Sequence, residues 1–188
     1  MKKIAVFASG NGSNFQAILD SIKHGDLHVE LGLVVCDKPQ AGVVERAKVA
    51  GIPVFSFVPK EYESKVYFER EIIAALQSHH IDLIFLAGYM RLIGSTLLEA
   101  YTNKIVNIHP SLLPAFPGID AIGQAFRAGV KVTGITIHYV DSGMDTGPII
   151  AQKTIDVEDG DNENTIADKI HKIEHELYPR VIQELISK

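Results

Sequence analysis

Two polar side chains interrupt an otherwise apolar run in Ile105-Val106-Asn107-Ile108-His109-Pro110. In an extended chain, residues two apart project from the same face, so Asn107 and His109 share one. Asparagine can donate a hydrogen bond to a developing oxyanion, and protonated histidine can do so with charge. Histidine also exchanges protons near neutral pH. The pair therefore reads as a site that activates a carbonyl. Asp145, in Asp141-Ser142-Gly143-Met144-Asp145-Thr146-Gly147-Pro148, is the candidate acid–base partner. Brought near His109 it would stabilise a charged imidazole and relay a proton through water. Left alone, an Asp in a glycine-rich turn caps its own backbone or faces solvent. His138, on the segment leading into that loop, either orients Asp145 or satisfies a sheet edge.

A second cluster lies near the N-terminus, where an apolar run enters Ser9-Gly10-Asn11-Gly12-Ser13-Asn14-Phe15 and a helical pattern follows. Glycines let successive N–H groups point into one concave space. A helix start adds unpaired N–H groups and the positive end of its dipole, so the expected ligand is a phosphate monoester. Phe15 stands where a dinucleotide fingerprint wants a third glycine, which disfavours a nicotinamide cofactor. The alternative is a tight strand-to-helix turn that binds nothing.

These residues need a frame. Short β-branched runs at 3–8, 29–36, 54–57, 83–87 and 105–108 alternate with helical periodicity at 14–23, 42–50, 65–79 and 95–101. Such alternation predicts a doubly wound, mostly parallel α/β sheet with helices on both faces. Pro110 ends the last of these strands, placing Asn107 and His109 at the carboxyl edge, where open α/β sheets bind ligands. Residues 131–140 and 148–157 read as an antiparallel C-terminal extension around the Asp145 loop. A final helix over 164–187 carries Ile166, Ile170, Ile173, Leu177, Val181 and Leu185 on one stripe.

With 188 residues and no Gly/Ser/Pro-rich linker, the chain is expected to form a single domain over residues 1–188. A net charge of −5 without a basic run argues against a nucleic-acid or membrane surface. The apolar stretch after Lys2 and Lys3 is too short for a signal peptide, so the expectation is a soluble cytoplasmic protein. Cys36, the one cysteine, lies in an apolar run and reads as a buried small residue. No histidine or carboxylate pair has metal-ligand spacing, and His79, His80, His171 and His175 read as solvent-facing.

Taken together, Ser9-Gly10-Asn11-Gly12-Ser13-Asn14, Leu86-Ala87-Gly88-Tyr89-Met90-Arg91, Asn107-Ile108-His109-Pro110-Ser111-Leu112-Leu113-Pro114 and Asp141 to Pro148 resemble the successive motifs of the folate-dependent formyltransferases. The early loop with Ser-Asn narrows the resemblance to those acting on glycinamide ribonucleotide. The resemblance implies a Rossmann-like formyltransferase fold and formyl transfer from 10-formyltetrahydrofolate to the glycyl amine of phosphoribosylglycinamide, without a metal. It implies catalysis by Asn107, His109 and Asp145, with His138 in support. The phosphate would sit on Gly12, Ser13 and Asn14, and Glu174 would hold the sugar or glycyl end, although a plain surface Glu is the other reading. Folate would lie against Met90, Arg91, Leu92 and Ile93, with Asp141 near its pterin and Lys65 assisting. Lys65 stands where arginine is common, and lacks arginine's bidentate fork. Asp120 departs from the relatives, which often carry a histidine nearby. The partners implied are small molecules, and the assembly a monomer or a homodimer.

The nearest rivals are a formyltetrahydrofolate hydrolase and a methionyl-tRNA formyltransferase. Each is expected to carry an additional segment, N-terminal and C-terminal respectively. A non-catalytic nucleotide-binding module would leave Asn107, His109 and the Asp145 loop without a role.

Overall fold

The computed structural model describes residues 1–187. Its centre is a sheet strand, β1 (Lys3–Ala8), whose alternation is satisfied on both sides. Ile4, Val6 and Ala8 enter one core and Ala5 and Phe7 the other, all fully buried. A strand with no exposed face must be covered by helices on both sides. The sheet accordingly has seven strands in the order β3-β2-β1-β4-β5-β6-β7. Its parallel part comprises β1, β2 (Glu30–Cys36), β3 (Val54–Ser56), β4 (Leu83–Leu86) and β5 (Ile105–His109). The expected extension is present as β6 (Val132–Tyr139) and β7 (Ile149–Asp156), paired antiparallel to β5 and to each other.

Helices α1 (Ser13–His24), α2 (Gly42–Val49) and α6 (Glu163–Ile186) pack their apolar stripes on the first core. Helices α3 (Lys65–Ser78) and α4 (Ser95–Ala100) cover the second. The α6 stripe buries Ile166, Ile170, Ile173, Leu177 and Val181 as read from sequence, and it also buries Tyr178 completely. The Tyr178 hydroxyl donates to the Leu86 carbonyl at 2.8 Å, with the Val106 carbonyl 3.2 Å away. One α6 side chain thereby pins the ends of β4 and β5, and its burial pushes the phenol well above its usual range. A reciprocal cap starts α6: the Asn162 side chain accepts from the N–H groups of Asn164 and Thr165, and Thr165 Oγ1 accepts from Asn162 N–H. Cys36 is buried, as expected.

One helix was absent from the sequence reading: α5 (Ala121–Ala128), which lies against α6. Asp120 precedes it with φ 57°, and its carboxylate accepts from Arg127, seven residues on, at 2.8 Å.

The start of α4 is held from outside the helix. Glu69 of α3 is 2% exposed, and its carboxylate accepts from Gly94 N–H at 2.6 Å and Leu97 N–H at 3.1 Å. It serves as a cap that no α4 side chain provides. Glu69→Ala would leave both donors without this partner, Leu97 N–H in a buried position and Gly94 N–H in a partly buried one. The expected loss is about 2–4 kcal/mol of unfolding free energy in urea titration. A loss below about 0.5 kcal/mol would mean that the two donors find other partners.

Candidate active site

The parallel strand order reverses between β1 and β4, because β1 connects outward to β2 on one side and pairs with β4 on the other. Loops leaving the carboxyl ends of such strands diverge and leave a crevice. Here the crevice is a cleft of about 780 Å³ lined by the loops after β1, β4 and β5, the Asp145 loop and one face of α6.

Gly12, with φ 81°, turns the chain into α1, whose first N–H groups receive no side-chain cap. Ser13 and Asn14 line the cleft beside it. Arg46 of α2 braces the loop, its Nε donating to the Asn11 carbonyl at 2.7 Å. Asn14 Nδ2 donates to Glu174 Oε2 at 3.1 Å, while Asn14 Oδ1 is buried with no partner among the described residues. Glu174 is not a surface residue: it is 5% exposed, and burial pushes its carboxyl above the usual range. The loop thus offers donors suited to an anion, and Asn14 with Glu174 offers acceptors suited to hydroxyl groups.

Asn107 and His109 project together at the end of β5, paired across to His138 and Thr136 of β6. The ring nitrogens can be assigned from their partners, because a backbone carbonyl only accepts. His138 Nδ1 lies 2.8 Å from the Tyr139 carbonyl and therefore carries a hydrogen. Its Nε2 is then the acceptor for Asn107 Nδ2 at 3.3 Å, which fixes which way the Asn107 amide points. His109 Nε2 donates to the Phe116 carbonyl at 2.9 Å, so Nδ1 is the nitrogen left for chemistry. Asp145 Oδ2 lies 3.5 Å from that Nδ1 and accepts from Gly118 N–H at 2.8 Å. Neither reading of His138, as the orienter of Asp145 or as a sheet-edge filler, describes its main side-chain contact, which is with Asn107. Its 3.8 Å approach to Asp145 is too long for a hydrogen bond.

Burial pushes His138 below its ordinary value of 6.5, with Asp145 opposing more weakly. A histidine kept neutral in the folded state and free to charge in the unfolded one loses stability on acidification. Its contribution is complete above about 6.5 and disappears as pH falls through the lower folded value. His138→Asn removes this titration. The stability gap between wild type and variant in urea should therefore narrow between about pH 7 and about pH 5. A gap independent of pH would show that His138 is not held neutral.

The segment after β4 forms the other wall. Met90, Arg91, Leu92 and Ile93 all line the cleft, with Met90 and Leu92 exposed despite being apolar. Ile119 and Met144 are likewise exposed on the opposite lip, so the opening suits a flat, largely apolar ligand. A buried network sets this wall. Asp37, 4% exposed, accepts from Ser9 Oγ at 2.5 Å and from Arg91 Nε at 2.7 Å, and Ser9 Oγ accepts from Met90 N–H at 2.9 Å. Asp141 accepts from Gly143 N–H and Thr146 Oγ1, which closes the turn carrying Asp145 and holds the Asp141 carboxyl below its usual range.

All but one of the residues singled out from sequence line this cleft: Gly12, Ser13, Asn14, Met90, Arg91, Leu92, Ile93, Asn107, His109, His138, Asp141, Asp145 and Glu174. Lys65 is the exception, since its Nζ donates instead to the Leu92 carbonyl at 2.5 Å, behind the wall. His171 also lines the cleft, beside Glu174, although the sequence reading placed it on a solvent-facing surface; it is both exposed and on the rim. The sequence assigns no role to Asp37 or Glu69, and gives Ser9 none beyond its place in the loop motif. Among the described residues, no group of three or more His, Cys, Asp or Glu is arranged to hold a metal ion, and no helix is long and apolar enough to cross a membrane.

Residues 2–182 match the model of the formyl transferase family. The phosphoribosylglycinamide formyltransferase of Bacillus subtilis (strain 168) is 64% identical over 186 residues, covering 99% of this chain and 95% of that protein. The crystal structure of phosphoribosylglycinamide formyltransferase from Bacillus halodurans superposes with a TM-score of 0.97 at 57% identity, covering 100% of this chain and 96% of that one. Glycinamide ribonucleotide transformylase 1 from Geobacillus kaustophilus gives a TM-score of 0.96 at 60% identity, covering 98% of each chain.

Proposed function

The chain belongs to the formyl transferase family, and from that membership we propose that it moves the formyl group of 10-formyltetrahydrofolate to the glycyl amine of 5'-phosphoribosylglycinamide. The products are formylglycinamide ribonucleotide and tetrahydrofolate, a step of purine biosynthesis. One observation carries the reading: an anion-binding helix start, a pair of hydroxyl acceptors and an Asn–His–Asp cluster face one cleft. The order matches a substrate with a phosphate at one end, a sugar in the middle and an amine at the other.

In this reading Gly12, Ser13 and Asn14 hold the phosphate, and Glu174 with Asn14 accepts from the ribose hydroxyls. Met90 to Ile93 and Asp141 hold the folate, with Lys65 acting on it through the Leu92 carbonyl that it grips. The amine attacks the formyl carbon, a C–N bond forms, and the carbonyl electron pair moves onto oxygen. The free hydrogen of the Asn107 amide and the Nδ1–H of protonated His109 donate to that oxyanion. Asp145, through a water, takes the proton released by the attacking nitrogen and passes one to the departing folate nitrogen. The C–N bond to folate then breaks. No Lewis acid is called for, because the formyl group is already activated on nitrogen. The chain acts as one formyltransferase domain over residues 1–188, in the cytoplasm, as a monomer or a homodimer. Its partners are small molecules, without nucleic acid or membrane.

The test follows folate absorbance after mixing protein and 10-formyltetrahydrofolate, with and without the ribonucleotide. Formyl loss should require the ribonucleotide. Equal loss in its absence would make the protein a hydrolase, and no loss in either case would leave only binding.

A further inference from the structure

The nitrogen of His109 that faces the cleft is set by a backbone carbonyl, and that carbonyl occupies an unusual place. Phe116 has φ 52°, a left-handed conformation that bulky residues seldom adopt. The twist turns the Phe116 carbonyl back toward β5, where His109 Nε2 donates to it at 2.9 Å. Something must hold this turn, and a second polar group reaches it from inside the fold, the hydroxyl of Ser111, itself 0% exposed. Ser111 Oγ donates to the Ala115 carbonyl at 2.6 Å and lies 3.2 Å from the Phe116 carbonyl, gathering two consecutive carbonyls on one side of the loop. Ser111 is fixed in turn, since its own carbonyl accepts from Thr136 Oγ1 at 2.7 Å. Thr136 Oγ1 also accepts from Leu113 N–H and Gln152 Nε2, tying the loop to β6 and β7.

We infer that Ser111 is a positioning residue for the reaction: its buried hydroxyl holds the left-handed turn whose Phe116 carbonyl keeps the hydrogen of neutral His109 on Nε2, leaving Nδ1 to face Asp145 and the substrate. A ring with its hydrogen on Nδ1 would present a bare Nε2 to a carbonyl, two acceptors in contact, and the Phe116 carbonyl excludes that form. Without the hydroxyl, the turn relaxes, the acceptor retreats and both tautomers become accessible. Ser111 is fully buried and does not line the cleft, so its loss should act on turnover and leave binding alone. The effect on turnover rests on the formyl-transfer reading, whereas the effect on the tautomer does not.

The experiment compares wild type, Ser111→Ala and Ser111→Thr by two readouts. The first is the 15N spectrum of the His109 ring in the free protein above its titration, which separates an Nε2–H from an Nδ1–H imidazole. The second is kcat and KM for both substrates. Wild type should show Nε2–H alone. Ser111→Ala should show a mixture of tautomers, with kcat lowered about tenfold or more and both KM values within about twofold. Ser111→Thr, which keeps the hydroxyl, should restore the single tautomer. A single Nε2–H tautomer in Ser111→Ala overturns the inference whatever the rate does, since the ring is then held without the hydroxyl. A tautomer mixture in Ser111→Ala beside a wild type that transfers no formyl group would uphold the positioning role and sink the formyl-transfer reading instead.

Discussion

Replacing His109 with Ala, or Asn107 with Ala, lowers kcat by about a hundredfold or more while the protein stays folded and binds both substrates. The expectation follows from where each group acts. In the proposed reaction both side chains donate to charge that exists only in the tetrahedral transition state, so their removal should strip transition-state stabilisation and leave ground-state binding largely intact. Neither is a structural keystone. Asn107 is only half-buried, and its amide contacts His138 by one long hydrogen bond. His109 has a single hydrogen bond, to the Phe116 carbonyl. Asp145→Ala should fall in the same class, although its contact with Gly118 N–H adds a modest loss of stability. Because the three act on one proton and one oxyanion, the double variant Asn107→Ala/His109→Ala should lose less than the product of the single losses. Steady-state kinetics on the three single variants and this double decide the matter. A variant within about threefold of wild-type kcat would remove its residue from the mechanism.

Gly12→Ala should be the most damaging small substitution in the binding half of the site. Two effects point the same way. The residue sits at φ 81°, where a side chain costs about 1–2 kcal/mol. The added Cβ would also lie 2.8 Å from both Cβ and Cγ2 of Val43, so α2 must retreat from the loop. That movement carries away Arg46, which braces the loop through the Asn11 carbonyl. Stability should fall by about 2–4 kcal/mol in urea. KM for the ribonucleotide should rise at least about tenfold, with KM for the folate nearly unchanged. Gly10 supplies the contrast, since a Cβ there meets nothing within 4 Å and stability should be retained. Equal rises in both KM values for Gly12→Ala would mean that the loop is a scaffold for the whole cleft and not the phosphate seat.

The proposed catalytic cluster was legible in the sequence because it breaks a pattern. Polar residues two apart in a buried strand have no structural reason to be there, and Asn107 and His109 stand out for that reason. The strands themselves were legible from their apolar runs, and α6 from its stripe. The order β3-β2-β1-β4-β5 was not, since β1 and β2 follow one another in sequence while β1 pairs with β4 across the intervening residues 9–82, which no local pattern announces. Helix α5 escaped because it is eight residues long, contains Gly123 and follows Pro117-Gly118, all features of a loop. Two buried carboxylates, Glu174, which the resemblance singles out, and Glu69, which no motif marks, have surroundings that the sequence does not reveal. Glu69 and Glu174 each fall within the buried stripe of their helices, Glu69 beside Phe68, Ile72 and Leu76, Glu174 beside Ile170, Ile173 and Leu177. A charge inside an apolar stripe must find a partner. Its place on the helix was visible, but the partners, Gly94 and Leu97 for one and Asn14 for the other, come from distant parts of the chain. Asp37 likewise follows a buried strand and meets Ser9 and Arg91 only after the sheet assembles.

In the proposed reaction one cleft brings the formyl carbon and the glycyl nitrogen together. Its most direct test uses 10-formyltetrahydrofolate carrying 13C in the formyl group, incubated with the protein and phosphoribosylglycinamide and followed by NMR. The label should leave the folate and reappear as a formamide carbon on the glycyl nitrogen, with no free formate. Label recovered as formate, or label that stays on the folate while the ribonucleotide is bound, would contradict the account.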